Sequence, residues 1–202
     1  MLATYPSTKW VRSAVPTFEP VTMDEVRRQC NLGTNTAHDL DLFDLIKTAR
    51  ETVERDAGIV CCTGTYVTKR NDFPANADWF ELPSIRPITA ISSITYPDTA
   101  GTTQTWSASY YSLDTYTVCP IVKLVYNETW PVNRSDVNGI TITVTAGYAT
   151  QATVPAQAKH ACKLLISHWF ENRGIVTVGT IAPDISMAYE SLIDGLKWNN
   201  YS

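Results

Sequence analysis

The sequence predicts an α+β protein, a helical bundle made from the N- and C-terminal helices with an antiparallel β-rich segment inserted between them. Three observations carry this expectation. Residues 21–58 read as a pair of helices with capping signals and apolar residues at three- and four-residue steps. From 59 to 150 the chain turns to Thr, Val, Ile, Tyr and Ser, with turn signals at short intervals. Helical periodicity then returns after Pro155, in a core helix within 151–174, and after Pro183, in a C-terminal helix and tail within 175–202. The length fits one compact domain overall.

Residues 1–20 contain Pro6, Pro16 and Pro20 together with Trp10 and Phe18. Proline at this spacing blocks helix and weakens a central strand. The segment is therefore expected to be an extended N-terminal arm, with Trp10 and Phe18 docking it on a neighbouring subunit or on its own domain. In "VTMDEVRRQCNL" Thr22 and Glu25 stand at the spacing of a capping box, and Val21 and Val26 take the two staple positions. Gly33 is the expected end of that helix. A longer helix in "TAHDLDLFDLIKTARETVERDAG" is expected to start from Thr36, with Asp39 and Asp41 at the positive end of its dipole. Leu42, Leu45, Ile46, Ala49 and Val53 form one apolar stripe, and Gly58 closes the helix. His38 is expected in solvent.

Candidate strands in the inserted segment are "TYVTK", "WFEL", "ITAISSITY", "ASYYSLD", "IVKLVY" and "ITITVTAGY". The last alternates Ile140, Ile142, Val144 and Ala146 with three threonines, the pattern of a half-buried strand. "YPDTAGTTQ" reads as a hairpin connection, because Pro97, Asp98 and Gly101 supply turn chemistry. No βαβ alternation is present, so a parallel nucleotide-binding sheet is not supported. "TWPVNRSDVNG", residues 129–139, is expected to project into solvent as a polar loop. In the final helix Ile185, Ala188, Tyr189, Leu192 and Leu196 form the expected stripe, and the chain ends in "KWNNYS".

The net charge is −4, and no basic run is longer than Arg27-Arg28. Duplex binding needs several phosphates neutralised by Lys and Arg, so a DNA-reading surface is not expected. The five cysteines, Cys30, Cys61, Cys62, Cys119 and Cys162, include no CxxC pair. They are read as reduced, packed side chains of a protein made in a reducing cytoplasm. No apolar run approaches the roughly eighteen residues of a membrane span. The start, "MLATYPSTKW", lacks a signal-peptide pattern.

The densest cluster of reactive groups is "KHACKLLISHWFENRG", residues 159–174. On a helical wheel Ala158, Ala161, Cys162, Leu165 and Trp169 share one sector, whereas His160, Ser167 and Glu171 lie opposite. His160 and Glu171 stand roughly 16 Å apart along the axis, too far to hold one ion. Neither His160 nor His168 has the four-residue partner that a helical zinc pair needs. A hydrolase built on His160, Ser167 and Glu171 is disfavoured by the same geometry. Phosphate-binding, dinucleotide and nucleophile-elbow motifs are also missing from the sequence. No catalytic, cofactor-binding or metal-ligating set is assigned. The alternative class is a carbohydrate-binding β-module that stacks sugars on Trp79, Trp106, Tyr110 and Tyr111.

Taken in order, "VTMDEVRRQCNL", "DLIKTARETVERDAGIVCCTGTY", "ELPSIRPITAISSITYPDTAGTTQTWSASYYSLDT" and "ITVTAGYATQATVPAQAKHACKLLISHWFENRG" resemble the head–tail connector (adaptor, head-completion) proteins of tailed bacteriophages. The resemblance spans about residues 20–174. Ala146-Gly147-Tyr148, Val154-Pro155, His168-Trp169 and Glu171-Asn172-Arg173 carry most of it. It implies a virion protein without catalysis or cofactor, assembled in the host cytoplasm as a homo-oligomeric ring, commonly a dodecamer, beneath the portal protein. It further implies a tail or stopper (tail-completion) protein as the second partner, and DNA that passes through the ring without being read. On that reading Tyr189, Leu192, Leu196, Trp198 and Tyr201 are the expected contacts to the portal, because aromatic anchors are enriched at interface hot spots. Completion of the subunit's own core is the alternative role for the same helix.

Overall fold

A computed structural model describes residues 9–83, 85–117, 119–172 and 183–197. Over these residues it is a mixed α+β structure with antiparallel sheets and four α-helices. Where the sequence reading has one compact domain, the chain divides into two compact units. The described residues of Met1–Val15 and Gly64–Gly147 form a β-rich unit, and those of Pro16–Thr63 and Tyr148–Ser202 a helical unit. Ile59, Cys61 and Cys62 therefore belong with the helices, where they are buried in the helical core.

In the helical unit, α1 spans Met23–Gln29, α2 Asp39–Ala57, α3 Ala156–Glu171 and α4 Pro183–Leu196. The capping box forms as its spacing predicts. Glu25 N donates to Thr22 Oγ1 at 3.1 Å, and Thr22 N donates to Glu25 Oε2 at 2.7 Å. Val21 and Val26 are buried on either side of it. The helix ends before Gly33, at Asn31, whose φ of 56° lets Leu32 N reach Arg27 O and Asn31 N reach Arg28 O, a Schellman closure. Asparagine tolerates this left-handed position well enough to stand in for glycine.

Helix α2 begins at Asp39 instead of Thr36, because Thr36 lies in a turn whose carbonyl accepts from Asp39 N. Two hydrogen bonds from the Arg27 guanidinium to the Asp39 carboxylate tie its first turn to α1. His38, expected in solvent, is half-buried with its ring edge-on to Phe170 at 5.4 Å. Leu42, Ile46, Ala49 and Val53 face inward as the stripe requires, and Gly58 closes the helix at φ 64°. Helix α3 packs on α1, α2 and α4 through Ala158, Ala161, Cys162, Leu165 and Ile166.

The β-rich unit holds β1 (Val11–Arg12), β2 (Gly64–Arg70), β3 (Trp79–Glu81), β4 (Ile88–Pro97), β5 (Thr103–Trp106), β6 (Tyr111–Asp114), β7 (Ile121–Leu124) and β8 (Ile140–Ala146). Five strands pair in the order β1-β2-β8-β4-β5, and three in the order β3-β7-β6. Ile140, Ile142, Val144 and Ala146 are buried and the intervening threonines half-exposed, which makes β8 the alternating central strand its sequence predicts. Its partner β4 carries two irregularities, at Thr89 and Ser92. Both extra side chains hydrogen-bond Thr145, one at the carbonyl and one at the hydroxyl. The β4–β5 hairpin turns on Asp98, whose Oδ1 accepts from the amides of Ala100 and Thr102, with Gly101 at φ 89°.

The 129–139 segment does not project freely. Trp130 stacks on Phe73 with centroids 5.3 Å apart, and its indole N–H donates to Ala77 O at 2.7 Å. Ser135 Oγ donates to Asp72 at 2.6 Å, and Arg134 N to Pro97 O. The half-buried indole packs its ring on Phe73 while placing its polar edge on a carbonyl, which outweighs the exposure suggested by the surrounding polar residues.

Candidate functional site

The α3 cluster that draws attention in the sequence is not assembled into a site. His160 and Glu171 are exposed. Ser167 Oγ donates to Leu164 O in its own helix at 3.1 Å, and His168 Nδ1 lies 3.2 Å from the Asn172 amide nitrogen. Ser167 and His168 are thus partnered within their own helix, while His160 and Glu171 face solvent. Among the described residues no group of three or more His, Cys, Asp and Glu is placed to hold a metal ion.

The most concentrated charge in the helical unit is structural. Arg50 is 3% exposed, and its guanidinium reaches Glu19 at 2.8 Å, Glu54 at 3.0 Å and Glu51 at 3.4 Å. Burial works against its charge, but Glu54 and Glu19 outweigh that penalty and hold the guanidinium firmly protonated. Glu54 also accepts from Cys61 N at 2.9 Å, so the network ties the segment before α1 to the turn after α2. The three carboxylates face this arginine and leave no open acid–base pair. Burial likewise pushes the Cys61 thiol up and takes Cys162 to about 12, which keeps both thiols protonated and unreactive.

The aromatic groups proposed for sugar stacking separate. Trp106 is 5% exposed and packs with Tyr111 at 4.9 Å and Trp130 at 5.1 Å between centroids. Tyr111 is buried with it, and only Trp79 and Tyr110 keep substantial exposure, each 42%. The four do not present one stacking platform, because Trp106 and Tyr111 belong to the β-rich core.

The terminal elements are placed as follows. Trp10 Nε1 donates to Pro83 O at 3.0 Å, and β1 continues from it along β2, with Arg12 Nε donating to Tyr66 Oη. Phe18 packs on the helical core. In α4, Tyr189 and Ile193 are buried, and Leu192 and Leu196 pack against the same core. Tyr189 Oη donates to Asp56 at 2.9 Å; burial and this hydrogen bond raise its phenol above the ordinary range. Ala188, expected in the apolar stripe, is exposed, and Ile193 takes an inward place that the sequence reading missed. Trp198 and Tyr201 lie outside the described residues.

The outward apolar side chains form the remaining feature. Leu40 and Phe43 of α2 stand out of the helical unit, and Tyr116, Tyr126, Val132 and Val137 out of loops of the β-rich unit. Sequence periodicity passes over all of them, since each lies off a buried stripe or in a loop.

No protein-family model and no curated protein matches the sequence. Solved structures match its fold along almost the whole chain. A chain in the neck of an empty GTA particle computed with C6 symmetry has a TM-score of 0.74 at 19% identity, covering 94% of this chain and 95% of that one. A chain in the virion of a native gene transfer agent (GTA) particle gives 0.72 at 19% identity, with 93% and 94% covered. In the neck of a native GTA particle computed with C12 symmetry the values are 0.68 and 15%, with 94% of each chain covered. The α+β fold described above is therefore shared with chains of GTA particles, two of them from the neck.

Proposed function

We propose that this chain is a head–tail connector subunit of a tailed phage or phage-like particle, a structural part without catalysis. It forms a ring beneath the portal, joins head to tail, and lets DNA pass through. The observation that carries the reading is the likeness to neck chains over 94% of this chain and 95% of theirs, with no large segment left over on either side. The motif order from the capping box to the helix after AGY and VP points the same way. Mild acidity suits a conduit, because a surface without a basic groove does not hold the strand passing it. The C12 and C6 symmetries belong to the neck structures, and a dodecamer is the proposed stoichiometry here.

Native mass spectrometry and electron microscopy of the purified chain, alone and with the portal protein of the same particle, test the reading. A ring that docks on the portal is expected, and a chain that stays monomeric with portal present overturns it. The docking residues are a separate part of the proposal. Tyr189, Leu192 and Leu196 anchor α4 to its own unit, so the portal contact falls to Trp198 and Tyr201. Replacing both by Ser is expected to abolish co-sedimentation with portal while the subunit stays folded, and undiminished co-sedimentation removes the role.

A further inference from the structure

The helical unit carries two outward faces of opposite chemistry, and we propose that they bind each other between neighbouring copies of this chain. The first lies on the N-terminal half of α2. Leu40 is 86% and Phe43 45% exposed, although the same helix buries Leu42 and Ile46 on its other side. Neither Leu40 nor Phe43 contributes to the helical core. Asp41 and Asp44 flank them with side chains 61% and 82% exposed, and Lys47 reaches back over the Phe43 ring at 4.1 Å and to Asp44 at 3.9 Å. The result is an apolar centre whose rim, with two carboxylates against Lys47, stays net acidic.

The second face is the outer side of α3. His160 is exposed there, and Lys159, Lys163 and Leu164 are half-buried. The helix carries no acid before Glu171. Glu25 of α1 lies near both lysines, and it is also engaged by the amide and hydroxyl of Thr22. Leu164 thus sits within a basic rim.

Charge complementarity commits the occupant of the α2 face to the α3 face of a second copy. Two α2 faces, or two α3 faces, would set like charges opposite each other, which disfavours a two-fold dimer through either one. Two different faces that fit each other give a heterologous contact, and repetition of such a contact closes a ring or extends a filament. The assignment rests on the connector-ring reading and supplies its subunit contact.

The test uses the full chain in four samples: wild type, D41K/D44K, K159E/K163E, and an equal mixture of the two variants. Sedimentation velocity across concentration and salt gives the association, and far-UV circular dichroism checks the fold. Each variant alone is expected to associate at least about tenfold more weakly, because its two faces now carry the same sign. The mixture is expected to recover near wild-type association, since the new lysines of one variant meet the new glutamates of the other. Should a reversal unfold α2 or α3, the neutral pairs D41N/D44N and K159Q/K163Q replace them, with weakening in each still expected. Wild type that associates as strongly as both variants overturns the face assignment and leaves the ring standing. Weakened variants that do not rescue each other overturn the pairing of these two faces. Wild type that stays monomeric up to millimolar concentration without portal overturns this contact, and the ring reading itself falls only if the chain also stays monomeric with portal present.

Discussion

Arg50 is the side chain on which the helical unit depends most for its polar interior. At 3% exposure it faces Glu19 and Glu54, themselves only 20% and 13% exposed. Removing one partner of a buried pair leaves the other charge desolvated and uncompensated. Arg50→Met is therefore expected to cost about 3 kcal/mol, read as a lower urea midpoint at unchanged slope. An unshifted midpoint would show that water already serves the two glutamates. The buried thiols make a second prediction, in pH. Folding raises Cys61 and Cys162, the latter to about 12, and also raises Tyr189. A group raised by folding stabilises fully below its unfolded pKa and loses that contribution as pH climbs toward the folded one. Stability is thus expected to fall from about pH 8.5, where unfolded thiols ionise, with Tyr189 joining from about pH 10. The decline reaches about 1.4 kcal/mol per pH unit for each such group. Urea midpoints measured from pH 7.5 to 10.5 should drop for the wild type and drop less for Cys162→Ala; parallel curves would contradict the assignment.

Among the elements, what the sequence revealed was what local chemistry decides. Thr22 and Glu25 close their box because both partners lie within one turn. Strand β8 keeps its alternation because burial on one face selects it directly. Pairing between distant residues left weaker signals. Strand β5 shows a single buried side chain, Trp106, and β1 has only two residues, Val11 and Arg12, so neither offers a period to read. Asn31 took the helix end expected of Gly33, since both residues tolerate positive φ and only the tertiary path distinguishes them. On the candidate surfaces, the separation of His160 from Glu171 along α3 was legible from the wheel, but the exposure of Leu40 and Phe43 was not. Trp130 was read with its polar neighbours, and its true place depends on Phe73, far away in the chain. That contact yields a prediction for the loop. Trp130→Ala removes the stack and the indole hydrogen bond to Ala77, at an expected cost of about 2 kcal/mol. Limited proteolysis should then cut within 129–139 at protease levels that spare the wild type, and equal resistance would show that Ser135 and Arg134 hold the segment unaided.

For the whole molecule the decisive quantity is how its charge is distributed. Basic and acidic residues balance in the β-rich unit, so the net −4 resides in the helical unit. Many of the cations are also already opposed. Arg27 meets Asp24 and Asp39, Arg50 its glutamates, Arg55 Asp56, Arg134 Asp136 and Lys197 Asp194. A protein that grips duplex DNA gains affinity by releasing counterions from several phosphates, one for each cation it brings. Here each opposed cation would first have to leave a carboxylate, and the acids that remain would repel the phosphates. The expected outcome is no duplex binding tighter than about 10⁻⁴ M at physiological ionic strength, with almost no dependence on salt. Fluorescence anisotropy of a labelled thirty-base-pair duplex titrated with the chain, at two salt concentrations, measures both. Micromolar affinity that falls steeply with salt would reveal a cationic track and remove the idea of a passive conduit. Weak, salt-indifferent behaviour is what a neck component needs, since each phosphate held by the wall would slow the strand moving past it.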